Sequence, residues 1–255
     1  MISVDGIRKA YGTRSVLDGI SVALLPGRVT ALVGPNGSGK TTLIKLILGL
    51  ARPDAGRILL DGEPIDPEGR YRARIGYAPQ APRFPDNLAV GEVFAMLRAL
   101  RPGATVDESL LGAFGLRAEW ETKVRALSGG WRQKLSSACA FLFMPDVLIL
   151  DEPTAGLDPI AAGLLKSEIR AAREEGKTIL VTSHILSELE ELADDIAFLS
   201  DGRLRFGGPV ATLLEETGMR RLEPAIAALL RGLRVDSGGA AGRPGNCTAG
   251  GRSRA

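Results

Sequence analysis

Two cysteines, Cys139 and Cys247, are all that this 255-residue sequence contains, and they stand far apart with no metal-ligand or redox spacing. A disulfide scaffold and a thiolate metal site are excluded on that count, and a reduced cytosolic compartment is expected. Histidine is scarcer still, with His184 alone. No uncharged apolar run approaches the roughly 20 residues that span a bilayer; the best candidate, "LIKLILGLA", is short and broken by Lys45. The opening "MISVDGIRKAYG" has no basic stretch followed by an apolar core, so no signal peptide is expected. Charge is nearly balanced, 32 Lys and Arg against 30 Asp and Glu, and no dense basic block is present. Nucleic acid is therefore not expected as a partner.

What remains is an ordinary globular composition, 45% hydrophobic and 24% charged, long enough for one large domain or two small ones. Residues 1–8 and 15–24 alternate apolar and polar positions, as half-buried antiparallel strands do. Residues 28–33 form an apolar β run, and 40–50 read as a helix with Leu43, Ile44, Ile47 and Leu48 on one face. "RILLDG" and "RIGYAP" read as short strands, and 87–144 as mostly helical, punctuated by Pro102, Gly103 and the Ser128–Gly130 break. Then come a buried strand at 146–150, a helix over 159–175 and a strand in "KTILVTS". A helix near 185–193, a hairpin turning at Asp201–Gly202, a helix near 209–217 and one beginning at Pro224 follow. The alternation implies an α/β domain with a mainly parallel sheet over 1–217, with a helical insert at about 81–145. A C-terminal helix over 218–236 follows, and 237–255, rich in Gly, Ala and Arg, has almost nothing to bury and is expected to be disordered.

The decisive stretch is "ALVGPNGSGKTTLIKLILGL", residues 31–50. Glycines 34, 37 and 39 lie between two segments that both want burial, which suits a phosphate cradle, a tight turn or a flexible linker. From Gly34 to Thr41 the spacing is G-x-x-x-x-G-K-T, set between an expected strand and an expected helix. Glycines let successive N–H groups turn inward around an anion, and the helix start adds positive partial charge. A plain turn explains the glycines and leaves Lys40–Thr41 unexplained. Lys40 is placed to reach the β- and γ-phosphates, and the Thr41 hydroxyl to ligate Mg²⁺.

A second site follows at "VLILDEP" (147–153), an apolar strand ending in two acids. Asp151 can hold Mg²⁺ through water, and Glu152 can orient or deprotonate an attacking water. A third lies in "LSGGWRQKL" (127–135), where Ser128, Gly129 and Gly130 would cap a helix and expose N–H groups at its positive end. At the far end of a helical insert it cannot fold onto its own phosphate loop. Its natural use is a γ-phosphate held by another subunit.

With these in order, the chain resembles the nucleotide-binding subunits of ABC transporters over about residues 1–217. The resemblance implies an α/β, P-loop NTPase fold of the ABC ATPase kind, with an antiparallel β subdomain and a helical insert. It assigns Tyr11 to stacking on adenine with Val16 beside it. It makes Gly34, Pro35, Asn36, Gly37, Ser38, Gly39, Lys40, Thr41 and Thr42 the Walker A loop for ATP. Gln80 in "YAPQ" matches the Q-loop, which meets Mg²⁺ with Thr41 and Asp151; 127–133 match the signature, "AGLD" with Asp158 the D-loop, and His184 the switch histidine.

Trp131 departs from the family's commonest signature, which carries Gln there. A bulky apolar residue resembles the ATPases of ABC-2-type exporters, although Trp131 could equally just pack against the helical insert. "IKLILGL", "GLDPIA" and "SHILSELEELAD" are similar to the copper-processing ATPase of nitrous oxide reductase maturation, and also to multidrug and gliding-type exporter ATPases.

The resemblance implies a homodimer closing head-to-tail on two shared ATP sites, with Glu152 polarising water and Gln80 and His184 holding the γ-phosphate. Closure would drive a separate integral membrane permease through a groove near Gln80 and residues 81–101, at the cytoplasmic face of the inner membrane. An importer ATPase, a non-transport ABC protein and a soluble P-loop kinase are the rival expectations. The kinase would leave the signature and His184 without a use.

Overall fold

The computed structural model describes residues 1–66 and 68–238 of the chain. Of the tail expected to be disordered, 237–255, Ser237 and Gly238 instead close the last helix, and 239–255 lie outside the described residues.

Among the described residues, ten strands divide into two sheets. A four-stranded antiparallel sheet has the order β2-β1-β4-β5, built from β1 (Ile2–Tyr11), β2 (Arg14–Leu24), β4 (Ala55–Leu60) and β5 (Glu63–Pro64). The first two strands run further than alternation suggests, because Gly12, at φ +60, closes a tight turn and leaves Tyr11 opposite Arg14. That pairing carries both side chains to the tip of the hairpin.

The second sheet has six strands in the order β10-β9-β3-β8-β7-β6, from β3 (Arg28–Val33), β6 (Ile75–Ala78), β7 (Val147–Asp151), β8 (Thr178–Thr182), β9 (Asp195–Ser200) and β10 (Arg203–Pro209). All pairs are parallel except β9 with β10, which close as a hairpin. Every residue of β7 and β8 is buried, as expected of strands covered on both faces. The period of two then divides the apolar side chains. Val29, Ala31, Leu148, Leu150, Ile179 and Val181 enter one core, and Leu32, Val147, Ile149 and Leu180 enter the other. The second core is also where the antiparallel sheet docks, through Ile7, Leu17 and Ile20.

Eight α-helices accompany them among the described residues: α1 (Lys40–Ile47), α2 (Val90–Leu100), α3 (Ser109–Ala113), α4 (Gly129–Phe141), α5 (Pro159–Glu174), α6 (Leu186–Leu192), α7 (Val210–Thr217) and α8 (Leu222–Gly238). Three differ from the sequence reading. Helix α1 stops at Ile47, short of residue 50, because Gly49 turns left-handed at φ +63. The carbonyls released there are taken by the Arg72 guanidinium, at 2.8 Å from Leu48 O and 2.9 Å from Gly49 O. The stretch 87–144 is less helical than expected. Between its three helices lie short 3₁₀ turns at Leu116–Glu119 and Val124–Ala126 and an irregular run after Gly103. Helix α8 starts at Leu222 with Pro224 in its first turn, where a missing N–H costs nothing. Leu222, Ala225 and Ile226 bury it in the larger core.

Candidate functional site

Residues 34–39 turn between the end of β3 and the start of α1. A Cβ on Gly34 would collide with the Leu199 carbonyl oxygen. Gly39 sits at φ +107, and a Cβ there would lie 2.5 Å from Leu17 Cδ2 and 3.0 Å from Val16 O. The loop is thus pressed against both sheets. Lys40 Nζ closes it by donating to Gly34 O at 2.6 Å and Pro35 O at 3.2 Å. Burial pushes the Lys40 ammonium below its ordinary pKa, with Glu152 and Asp151 opposing that shift.

Two features of this loop fit an anion. No side chain caps the N-terminus of α1, and no acid stands in its first turn, so its leading N–H groups are left for a ligand. The Ser38 hydroxyl is buried with no hydrogen-bond partner, which is the kind of orphan a phosphate oxygen satisfies.

Opposite the loop, β7 ends in Asp151 and the chain turns sharply at Glu152, which adopts φ +54. A non-glycine residue held there is strained and needs its surroundings to fix it. They do so from three sides. The Glu152 N–H donates to Thr182 Oγ1 at 2.9 Å and lies 3.2 Å from Thr182 O. Gln133 Nε2 donates to Pro153 O at 3.1 Å and reaches Glu152 O at 3.5 Å. The side-chain oxygen Oε2 lies 2.7 Å from His184 Nδ1. Thr182 also donates its hydroxyl to Asp151 Oδ1 at 2.5 Å, so one hydroxyl fixes both acids. Both acids are buried, at 7% and 8% exposure, yet they border a cavity.

That cavity, about 420 Å³, collects Tyr11, Val16, Gly34, Asn36, Gly37, Ser38, Gly39, Lys40, Thr41, Thr42, Gln80, Asp151, Glu152 and His184. Pro35 stands behind the loop and contributes only its carbonyl. Two further residues line the cavity that sequence reasoning passed over, Arg14 and Ser183. The signal for Arg14 was its place opposite Tyr11 across a two-residue turn. Its guanidinium lies 3.8 Å from where a Cβ on Gly37 would be, and it makes no ion pair among the described residues. Tyr11 is half-exposed, with Lys9 Nζ 5.4 Å from its ring centroid. Among the described residues no cluster of three metal-binding His, Cys, Asp or Glu side chains exists. A Mg²⁺ here would rest on Thr41, Gln80, Asp151 and the phosphates themselves, a hard-oxygen set that suits that ion.

Ser128, Gly129, Gly130 and Asp158 are not brought into this cavity. Ser128 caps α4, its hydroxyl accepting from the Trp131 N–H at 3.3 Å. Gly129 and Gly130 border a separate cleft with Gln80, Gln133 and Gly156. Gln80 is thus shared by the two. Asp158 caps α5, accepting from the Ala161 N–H at 2.9 Å, and its other oxygen meets Lys134 Nζ at 2.8 Å. A third cavity, about 320 Å³, opens beside residues 82–101 and is lined by Tyr77, Pro82, Phe84, Leu97, Arg101 and Phe143, among others. Among the described residues no helix is long and apolar enough to cross a membrane.

Residues 17–155 match the family described as ABC transporter. A Nod factor export ATP-binding protein I of Ralstonia nicotianae is 38% identical over 255 residues, covering 94% of this chain and 79% of its own. The solved structure of an ATP-binding subunit of an ABC transporter superposes with a TM-score of 0.84 at 28% identity, over 90% of this chain and 99% of that one. A bacterial Atm1-family ABC exporter with ATP bound matches at a TM-score of 0.77 and 30% identity, over 91% of this chain and 41% of that chain. A paired phosphate loop and acid-tipped strand on this fold, with these relatives, have one meaning: the chain belongs to the ABC transporter family, as an ATP-binding subunit that hydrolyses ATP.

Proposed function

We propose that the chain powers a separate integral membrane exporter, binding MgATP in the 420 Å³ cavity as one half of a head-to-tail homodimer. The observation that carries this is the separation of Ser128–Gly130 from the cavity that holds Lys40 and Glu152. A capped helix start outside the cavity of its own phosphate loop has a use when a second copy supplies the phosphate. Export is supported by the name shared by eight relatives at 37–41% identity, each a Nod factor export ATP-binding protein I. The cavity beside residues 82–101 offers the permease a groove with apolar walls. Operation at the cytoplasmic face of the membrane follows from such a partner.

In this reading Tyr11 stacks on the base with Val16 beneath it. The N–H groups of the 34–42 loop and Lys40 hold the phosphates, and Arg14 adds a second cation at Gly37. Mg²⁺, held by Thr41, Gln80 and Asp151, supplies charge neutralisation on the phosphates. Glu152 polarises the attacking water, fixed in aim by His184 and Thr182. His184 and Gln80 border the γ-phosphate end. The transported molecule is chosen by the permease. The copper-enzyme reading rests on the short stretches at 44–50, 156–161 and 183–194.

The test uses Glu152→Gln, which keeps ATP bound without turnover. It should run as a dimer in size-exclusion chromatography with MgATP and as a monomer with MgADP, because ATP favours whichever state binds it better. Adding Ser128→Arg should return it to monomer. A Glu152→Gln protein that stays monomeric at saturating MgATP overturns the shared-site reading.

A further inference from the structure

Trp131 has no task in the mechanism above, yet its surroundings are specific. The indole is partly buried against the larger core, with its Cη2 edge 4.0 Å from where a Cβ on Gly115 would stand. One turn further along α4, the Lys134 ammonium lies 4.7 Å from the ring centroid. Residues three apart share a helix face, so the contact follows from the spacing. Lys134 is only 16% exposed, and its other neighbour is Asp158 Oδ2 at 2.8 Å. The remaining oxygen of Asp158 caps α5. The two helix starts also approach closely at the backbone, since a Cβ on Gly130 would lie 2.8 Å from Gly156 O.

An exposed lysine–carboxylate pair contributes almost nothing on its own, because water competes for both charges. Here the indole covers one side of the ammonium and attracts it through the ring quadrupole. The lysine is thereby held at the distance Asp158 needs. Hydrogen bonding to Lys134 and to the Ala161 N–H keeps the Asp158 carboxyl below the usual carboxylate range, so it stays charged.

We propose that Trp131 is a positioning residue: through Lys134 it fixes the 155–158 turn relative to Ser128–Gly130, so that the two segments move as one unit. This rests on the shared-site reading, in which Ser128–Gly130 faces the partner's nucleotide.

The experiment compares Trp131→Leu, Trp131→Phe, Lys134→Gln and the Leu/Gln double variant in the full chain. Amide exchange of residues 155–160 in nucleotide-free protein reads the tether without any need for a dimer. Trp131→Leu keeps apolar packing and loses the π face, and it should speed exchange about two- to fivefold. Lys134→Gln should do the same, and the double variant no more than either alone. Trp131→Phe should stay near the parent. In ATPase assays kcat should fall by the same factor with KM for MgATP unchanged, since none of these residues lines the chain's own ATP cavity. Parental exchange in Trp131→Leu, equal losses in Phe and Leu, or multiplying effects would each show packing alone and overturn the tether. Faster exchange with unchanged kcat would overturn its part in turnover. Whether Ser128→Arg blocks the ATP-induced dimer tests the shared site separately.

Discussion

His184 Nδ1 stands 2.7 Å from Glu152 Oε2, and the His184 backbone N–H aims at the same oxygen from 3.3 Å. The carboxylate is therefore held by two groups of one residue, leaving its other oxygen for water. Glu152→Gln keeps the size of the side chain and loses the charge. Hydrolysis should fall about 10²–10⁴-fold, the usual cost of losing a general base, with nucleotide affinity retained. His184→Ala leaves the backbone donor in place, so its loss should be smaller, on the order of tenfold. Steady-state phosphate release on purified variants checks the order.

Thr182 joins the two acids through one hydroxyl, donating to Asp151 and accepting from the Glu152 N–H. Thr182→Val keeps the shape and leaves buried polar groups short of a partner, at a cost of about 1–3 kcal/mol. The melting temperature should drop by roughly 2–10 °C, and kcat should fall with it. A thermal scan showing no change would mean that Thr182 O at 3.2 Å holds Glu152 unaided.

Arg14→Ala should raise KM for MgATP about fivefold with little change in kcat, the scale of one exposed charge contact of about 1 kcal/mol. Because Arg14 is exposed, the effect should shrink as ionic strength rises. Titrations at low and high salt make the comparison. A KM that does not move at low salt removes Arg14 from the phosphate site.

Burial lowers the pKa of Lys40 in the folded protein. The sign follows directly. The folded state binds that proton less tightly than the unfolded chain, so the charged ammonium opposes folding at neutral pH and the penalty fades only as pH approaches the lysine's ordinary value. The hydrogen bonds to Gly34 O and Pro35 O act the other way. Lys40→Ala should therefore leave the apo melting temperature within a few degrees of the parent while abolishing both hydrolysis and the ATP-dependent rise. A large apo loss would show that the loop needs Lys40 for its shape.

Most of the ATP cavity was legible because its parts are spaced along the chain in a fixed order, and the parallel strands β3, β7 and β8 place those parts at one sheet edge. Glycines 34 and 39 were readable as backbone requirements, and the collisions at Leu199 O and Leu17 bear that reading. What sequence could not supply was cross-chain support. Thr182 lies 31 residues from Asp151, and only the β7–β8 pairing makes them neighbours. The end of α1 was overread because Leu48 continues the apolar face. The stop is set by Gly49 and by Arg72 from a segment 23 residues on. Likewise, Pro102 and Gly103 were recognised as breaks, but the irregular chain that follows them carries no periodic signal.

The pairing of Asp151 with Thr182 is a matter of strand register, and this limits how the chain can vary in length. Inserting or deleting one residue within 147–151 or 178–182 would turn every following side chain to the opposite face of the sheet. Asp151 would leave the hydroxyl that holds it, and the Glu152 N–H would lose its acceptors on Thr182. The irregular run after Gly103 belongs to no strand ladder and can lengthen or shorten without reaching the acids. Chains of this design can thus gain or lose residues around the helical insert while the segments carrying the chemistry stay constant in count.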